Sequence, residues 1–328
     1  MKTPKVYIIL PCFNEEQVLP ETVKRLCALV DDLARENMLS IDSRITLVDD
    51  GSRDDTWDVI TNSSAQYPCI EGLKLAHNVG HQNALWAGMM TVREHADAII
   101  SIDADLQDDI GAIREMLFAF QNGNEIVYGV RSSRKTDTAF KRKTAHFYYD
   151  FMRFMGAKIV YDHADYRLIG RRALDALSEF GEVNLFLRGM VPLLGFQQCE
   201  VYYERGERFA GESKYPLKKM LAFAMEGLTS FSIKPIRYVT IVGGLFSLIG
   251  VIMAIYALIS HFTGHTVPGW SSMIVSIWVI GGVQLMALGL IGEYIGKIYT
   301  EVKKRPRFIV ETYLQKQTTD KTFKTIEE

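Results

Sequence analysis

Apolar residues follow two different rhythms along this chain. In the first third, short continuous apolar runs alternate with longer segments whose apolar residues recur every three or four positions. The runs are Val6-Tyr7-Ile8-Ile9-Leu10, Ile45-Thr46-Leu47-Val48, Gly72-Leu73-Lys74-Leu75 and Ala98-Ile99-Ile100-Ser101-Ile102. Leu19, Val23, Leu26, Val30 and Leu33 mark one face of a helix between the first two runs. Trp57, Val59 and Ile60 mark a second helix, and Ala84, Leu85, Ala87 and Met89 a third. Strands without polar alternation are those buried on both faces of a parallel sheet. The pattern therefore predicts an α/β fold with a doubly wound, mostly parallel sheet.

The second rhythm is a long absence of charge. No Asp, Glu, Lys or Arg occurs in the 55 residues from Tyr238 to Gly292. About 20 apolar residues cross a bilayer as a helix, and the stretch divides at a polar turn, Ser260 to Gly269. Two transmembrane helices are expected, near 236–260 and 271–296. Lys214, Lys218, Lys219, Lys234 and Arg237 precede the first, and Lys297, Lys303, Lys304, Arg305 and Arg307 follow the second. The turn between has no Lys or Arg, so both termini are expected on the cytosolic side of a bacterial plasma membrane. Pro216 to Ser232 carries a stripe that suits an interfacial amphipathic helix or packing on the preceding domain. Phe140 to Met155 has a similar stripe behind Lys141, Arg142 and Lys143. The expected division is a cytosolic domain over 1–213, an interfacial helix over 214–234, the helical hairpin over 235–298 and a C-terminal tail over 299–328, polar and without fixed fold from Gln315.

A formal net charge of −2 over 328 residues argues against nucleic acid as a partner. Cys12, Cys27, Cys69 and Cys199 show no C-x-x-C spacing and read as reduced thiols. His77, His81 and His146 form no cluster with zinc spacing and read as ordinary surface or satisfied histidines.

Candidate chemistry sits where the strands end. Each of the four runs is followed by polar residues: Asn14-Glu15-Glu16, Asp49-Asp50-Gly51-Ser52, His77-Asn78 and Asp103-Ala104-Asp105. In open α/β sheets, ligands bind beyond the carboxyl ends of the strands. Two carboxylates two residues apart would repel there, and a hard divalent cation, Mg²⁺ or Mn²⁺, relieves that repulsion. Mg²⁺ is usually held by one or two carboxylates together with substrate phosphates, so a diphosphate-bearing substrate is expected.

Taken together, Ile9-Leu10-Pro11-Cys12-Phe13-Asn14-Glu15-Glu16, Val48-Asp49-Asp50-Gly51-Ser52 and Asp103-Ala104-Asp105-Leu106-Gln107 resemble family 2 glycosyltransferases of the GT-A fold. Within them the chain is similar to the polyprenyl-phosphate glycosyltransferases over roughly residues 4 to 310. The resemblance implies inverting transfer of a hexose, glucose first, from a nucleotide diphosphate sugar to undecaprenyl or another polyprenyl phosphate. GDP-mannose, UDP-N-acetylglucosamine and an aminoarabinose nucleotide are alternative donors, and a non-catalytic membrane scaffold that keeps the nucleotide pocket is the alternative from another class. It further implies that Pro11, Asn14, Glu15 and Asp50 hold the nucleoside. Asp103 and Asp105 would hold the metal, with Gln107 as a further ligand. Arg208 and Lys214, in Arg208-Phe209-Ala210-Gly211-Glu212-Ser213-Lys214, would contact the diphosphate. Arg131 and Arg142 match positions for the acceptor phosphate. Asp165 matches an acidic position near the sugar, where it orients a hydroxyl or the acceptor, or acts as a base. Glycines at 243–244, 281–282, 289 and 292 would permit close helix contacts and a homo-oligomer.

Overall fold

The computed structural model describes residues 3–132, 163–182, 185–204, 234–263 and 269–316. Eight strands form one sheet: β1 Val6–Cys12, β2 Arg44–Asp49, β3 Ile70–Leu75, β4 Ala98–Ser101, β5 Ile126–Arg131, β6 His163–Gly170, β7 Gln198–Tyr203 and β8 Val310–Leu314. Their spatial order is β7-β5-β6-β4-β1-β2-β3-β8. The run β4-β1-β2-β3 is parallel throughout. β6 is antiparallel to both β4 and β5, β5 is parallel to β7, and β8 closes the β3 edge in antiparallel register. The sheet is thus mostly parallel, and the four strands expected from the sequence lie side by side in it, between β6 and β8.

Helices cover both faces, which explains the continuous apolar runs. Helix α1 (Leu19–Arg35) buries Leu19, Val23, Leu26, Val30 and Leu33, the five residues of the predicted stripe. They join Val6, Ile8 and Leu10 of β1 in one core. Each such side chain contributes on the order of 2 kcal/mol on leaving water. The alternate residue Ile9 meets helix α3 (His81–Val92) on the other face. At Gly88 an added Cβ would lie 2.5 Å from Ile9 and 2.8 Å from Val48, so only glycine lets α3 approach this closely. Helices α2 (Thr56–Gln66), α4 (Ala112–Gln121), α5 (Arg171–Ser178) and α6 (Leu187–Met190) complete this unit. The four cysteines are free thiols.

The residues expected to form a C-terminal tail behave differently from that expectation. Residues 306–316 belong to the sheet unit, and β8 pairs Tyr313 with Leu73 and Thr312 with Lys74. Tyr313 donates from its hydroxyl to Glu71 at 2.8 Å, and Lys74 meets Glu311 at 3.0 Å. Pairing covers an edge of β3 that would otherwise present unsatisfied backbone groups. No apolar periodicity in 310–314 announces this, because an edge strand is held by its ladder and not by a buried face. Residues 317–328 lie outside the described residues.

A second unit contains two long helices, α7 (Lys234–Phe262) and α8 (Trp270–Lys303). They run 29 and 34 residues, and the second extends past the expected end at 296. At about 1.5 Å per residue either backbone is longer than the ~30 Å apolar core of a bilayer. Among the described residues, however, no helix is long and apolar enough to cross a membrane; side chains at many positions of both helices fall outside that description. The amphipathic segments expected over 140–155 and 216–232, and turn residues 264–268, also lie outside the described residues.

Candidate active site

β1 has β2 on one side and β4 on the other. The chain leaves β1 toward β2 and later returns to β4, so a crevice opens beyond the carboxyl ends of β1 and β4. The loops after β1 and β2 are stitched together at this crevice. Asn14, in the left-handed region at φ 56°, donates its amide to Ser52 Oγ at 3.0 Å and accepts Arg53 N–H on Oδ1 at 2.9 Å. Glu15 N–H donates to Thr56 Oγ1 at 2.9 Å, and Glu16 accepts from Asp55 N–H at 3.0 Å. Pro11 is half-buried at the end of β1.

Asp50 is buried, and its two oxygens accept the amides of Val79 at 2.7 Å and Gly80 at 3.0 Å. Burial nevertheless pushes its carboxyl above the usual range, the backbone bonds opposing. Gly51 beside it has φ +66°, and a Cβ there would lie 2.6 Å from Asn78 N. Asp50 thereby fastens the β2 turn to the start of α3.

Asp103 and Asp105 follow β4 on a turn that reverses through Leu106 at φ 56°. Thr22 on α1 donates to the carbonyl of Ala104 at 2.8 Å, and Gln107 N–H donates to Asp105 Oδ1 at 3.2 Å. Asp103 keeps 38% of its side-chain surface open, yet its carboxyl is pushed up to about 6. Its recessed position is the main cause, and the charges of Asp165, Asp108 and Asp105 add to it against an opposing pull from His81. Among the described residues, no group of three His, Cys, Asp or Glu could hold a metal unaided. The donor set still fits a hard divalent cation: a carboxylate whose pKa is raised by its recessed position and by acidic neighbours is relieved when a cation binds. Asp103 and Asp105 would supply the protein's share of its ligands.

Asp165, on β6, has an environment of the opposite sign. It is buried and receives Arg167 Nη2 at 2.5 Å, Arg188 Nη2 at 3.0 Å and Gln82 Nε2 at 3.1 Å. Burial works to raise its pKa, but Arg188, His81 and Arg167 outweigh burial and hold it well below the usual carboxylate range. A carboxylate held there stays ionised and is a weak base. This environment suits orientation rather than proton transfer. His81 Nε2 lies 3.6 Å from Asp103 and 3.6 Å from Asp165, between the two carboxylates. Burial disfavours its protonation, but those two charges prevail and raise its pKa. His81, read from the sequence as an ordinary surface or satisfied histidine, therefore stands between two of the candidate site carboxylates.

Arg131 ends β5 and pairs with Asp108 Oδ1 at 3.2 Å. Arg142, Arg208 and Lys214 lie outside the described residues. Sequence reasoning overlooked Gln82, Asp108, Arg167, Arg188 and Tyr203. Asp108 stands three places beyond Asp105 and could have been suspected; Arg188 and Tyr203 sit in segments with no motif.

Comparison with known proteins identifies the family of the chain. Residues 7–178 match the family described as Glycosyl transferase family 2, and residues 234–298 match the GtrB C-terminal hairpin. The chain belongs to glycosyl transferase family 2 and is a glycosyltransferase with a GtrB-type hairpin. It is 52% identical over 308 residues to the uncharacterized glycosyltransferase YkoT of Bacillus subtilis, covering 94% of this chain and 91% of that one. It is 36% identical over 311 residues to the SfII prophage-derived bactoprenol glucosyl transferase of Shigella flexneri, covering 94% and 97%. It is 35% identical over 311 residues to the prophage bactoprenol glucosyl transferase homolog of Escherichia coli, covering 94% and 98%.

Proposed function

We propose that this glycosyltransferase moves a hexose, glucose in the first instance, from a nucleotide diphosphate sugar to a polyprenyl phosphate with inversion, giving a lipid-linked sugar for the cell envelope. The observation that carries the reading is the pair Asp103 and Asp105 at the β1–β4 crevice, with Asp103 pushed up to about 6 among acidic neighbours. Relatives named bactoprenol glucosyl transferase support glucose and the lipid phosphate.

In this reading Pro11, Asn14, Glu15 and Asp50 form the nucleoside end, with Asp50 acting as the brace that fixes the loop after β2. Asp103 and Asp105, with Gln107, would hold a Mg²⁺ or Mn²⁺ ion, and such an ion would supply positive charge for the diphosphate. Arg208 and Lys214 add cationic contacts to that diphosphate. Arg131 and Arg142 hold the acceptor phosphate. A phosphate monoester has its second pKa near 6, so the acceptor is already a competent nucleophile near neutral pH. The chain's task is then to position two anions and screen them. Asp165, fixed as an anion by Arg167 and Arg188, orients groups around the sugar.

The hairpin would lie in the membrane. The uncharged run from Tyr238 to Gly292 and the lengths of α7 and α8 support two spans. The Lys and Arg residues at both ends support a plasma-membrane protein with its catalytic unit and termini in the cytosol.

The test is full-length protein in detergent with undecaprenyl phosphate, Mn²⁺ and a panel of radiolabelled nucleotide sugars. Organic-extractable label is expected with UDP-glucose. Label from GDP-mannose, UDP-N-acetylglucosamine or an aminoarabinose nucleotide would reassign the donor, and no label from any donor would sink the reaction. Asp105→Asn should lower turnover by roughly 10²–10³-fold, the cost of losing a main electrostatic partner of the transition state, while the protein stays folded.

A further inference from the structure

The loop after β4 continues past the two candidate metal ligands to Asp108, which is buried at 3% exposure. Its Oδ1 accepts two bonds: from the Tyr203 hydroxyl at 2.6 Å and from Arg131 Nη2 at 3.2 Å. The Tyr203 hydroxyl also accepts Arg131 Nε–H at 3.3 Å, closing a three-membered cycle. Among the described residues, Asp108 Oδ2 is buried without a hydrogen-bond partner. β5 and β7 are parallel neighbours, and Arg131 stands in register with Tyr203. The Tyr203 ring packs edge-on against Tyr166 at 5.2 Å, and the Tyr166 hydroxyl donates to the carbonyl of Asp109 at 3.0 Å. Tyr203 is therefore fixed from two sides before it touches Arg131.

We propose that Asp108 and Tyr203 are positioning residues that hold the Arg131 guanidinium toward the acceptor phosphate. The proposal rests on the acceptor-phosphate reading of Arg131 given above. Arginine presents five N–H donors in a rigid plane. The cycle engages Nε and one Nη2 hydrogen, which fixes the plane, while 27% of the side chain stays open to a ligand. A mobile arginine would lose rotamer freedom on gripping a phosphate; one already clamped loses less. The arrangement is poorly explained as a stabiliser, since a buried ion pair usually does no better than apolar packing of the same volume. It also yokes the two halves of the reaction. Asp105, on the donor side, and Asp108, behind the acceptor-side arginine, lie three residues apart on one turn. That turn is pinned by Thr22 at Ala104 and by Tyr166 at Asp109. Moving the turn moves both.

The experiment measures kcat and both KM values for full-length Tyr203→Phe, Asp108→Asn and Arg131→Ala in detergent. Mn²⁺ titrations and thermal melts are run alongside. Tyr203→Phe keeps the ring packing and removes only the hydroxyl. It is expected to raise KM for the lipid phosphate roughly tenfold, as loss of a bond to a charged group does, with donor KM and Mn²⁺ activation unchanged. Asp108→Asn should act in the same direction, and Arg131→Ala more strongly. If Arg131→Ala raises the lipid-phosphate KM while the other two folded variants leave it unchanged, the positioning role is overturned and the acceptor reading survives. If Arg131→Ala leaves that KM unchanged, the acceptor reading falls and the positioning role with it. If Tyr203→Phe alters donor KM and Mn²⁺ activation as much as acceptor KM, the cycle only maintains the loop, and the proposal is again overturned.

Discussion

The sheet unit and the helical hairpin handle apolar residues in opposite ways. In the sheet unit Ile8, Leu10, Ile45, Leu47 and Ile100 are buried, and charge gathers at the strand ends. In the hairpin Ile241 is 57% exposed, Ile252 57% and Leu285 71%, along helices that carry no charge from 238 to 292. A monomeric protein in water seldom leaves so many large apolar side chains open along two helices. The difference teaches that the two units dispose of apolar side chains differently: the sheet unit buries them between strands and helices, whereas the two long helices leave many of theirs open, which is what the proposed membrane placement has to account for.

Substitutions can break or sharpen that contrast. The largest effect is expected in the sheet unit, where Asp165→Ala leaves the fully buried Arg167 guanidinium without its carboxylate. Removing one partner of a buried pair costs about 3–5 kcal/mol, read as a lower unfolding midpoint of the full-length protein. An unchanged midpoint would show that the cluster anchors nothing. The next tests the hairpin. Ile252→Arg places a charge midway along α7, which should oppose membrane insertion by about 2.5–3.5 kcal/mol. The readout is the fraction of protein resisting alkaline extraction from membranes; an exposed helix in water would tolerate the change. The smallest concerns pH. Because Asp103 is pushed up to about 6, it is protonated below that pH and loses its charge as a ligand. The Mn²⁺ needed for half-maximal activity should rise by about tenfold per unit as pH falls below 6, and stay flat above it. A flat response throughout would remove Asp103 from the metal site.

Within the sheet unit a second contrast shows how neighbours decide chemistry. Asp103 and Asp165 both contact His81 at 3.6 Å. Asp103 is driven toward protonation first by its recessed position and then by the carboxylates around it, whereas Asp165, though buried, sits between two guanidiniums and stays ionised. The same side chain is made cation-seeking in one place and cation-sated in the other.

Much of this was legible beforehand, for a local reason. Strand and helix periods are properties of neighbouring residues, so β1 to β4 and the stripe of α1 could be read directly, as could the arrival of Asp103 and Asp105 at a strand end. Long-range pairing left no such trace. β8 is held by its ladder to β3, 237 residues away at the Lys74–Glu311 contact. Arg188 reaches Asp165 from a segment without a motif.

The amino-acid order by itself determined the α/β class, the family and the uncharged span that sets the hairpin apart, because each depends on composition or short spacing. Only the tertiary structure decided that 310–314 closes the sheet, that Asp50 braces a turn, that Asp165 is a locked anion and that Asp108 and Tyr203 grip Arg131. Those outcomes depend on which groups are brought together out of water, and burial and neighbouring charge are fixed only once the strands have paired.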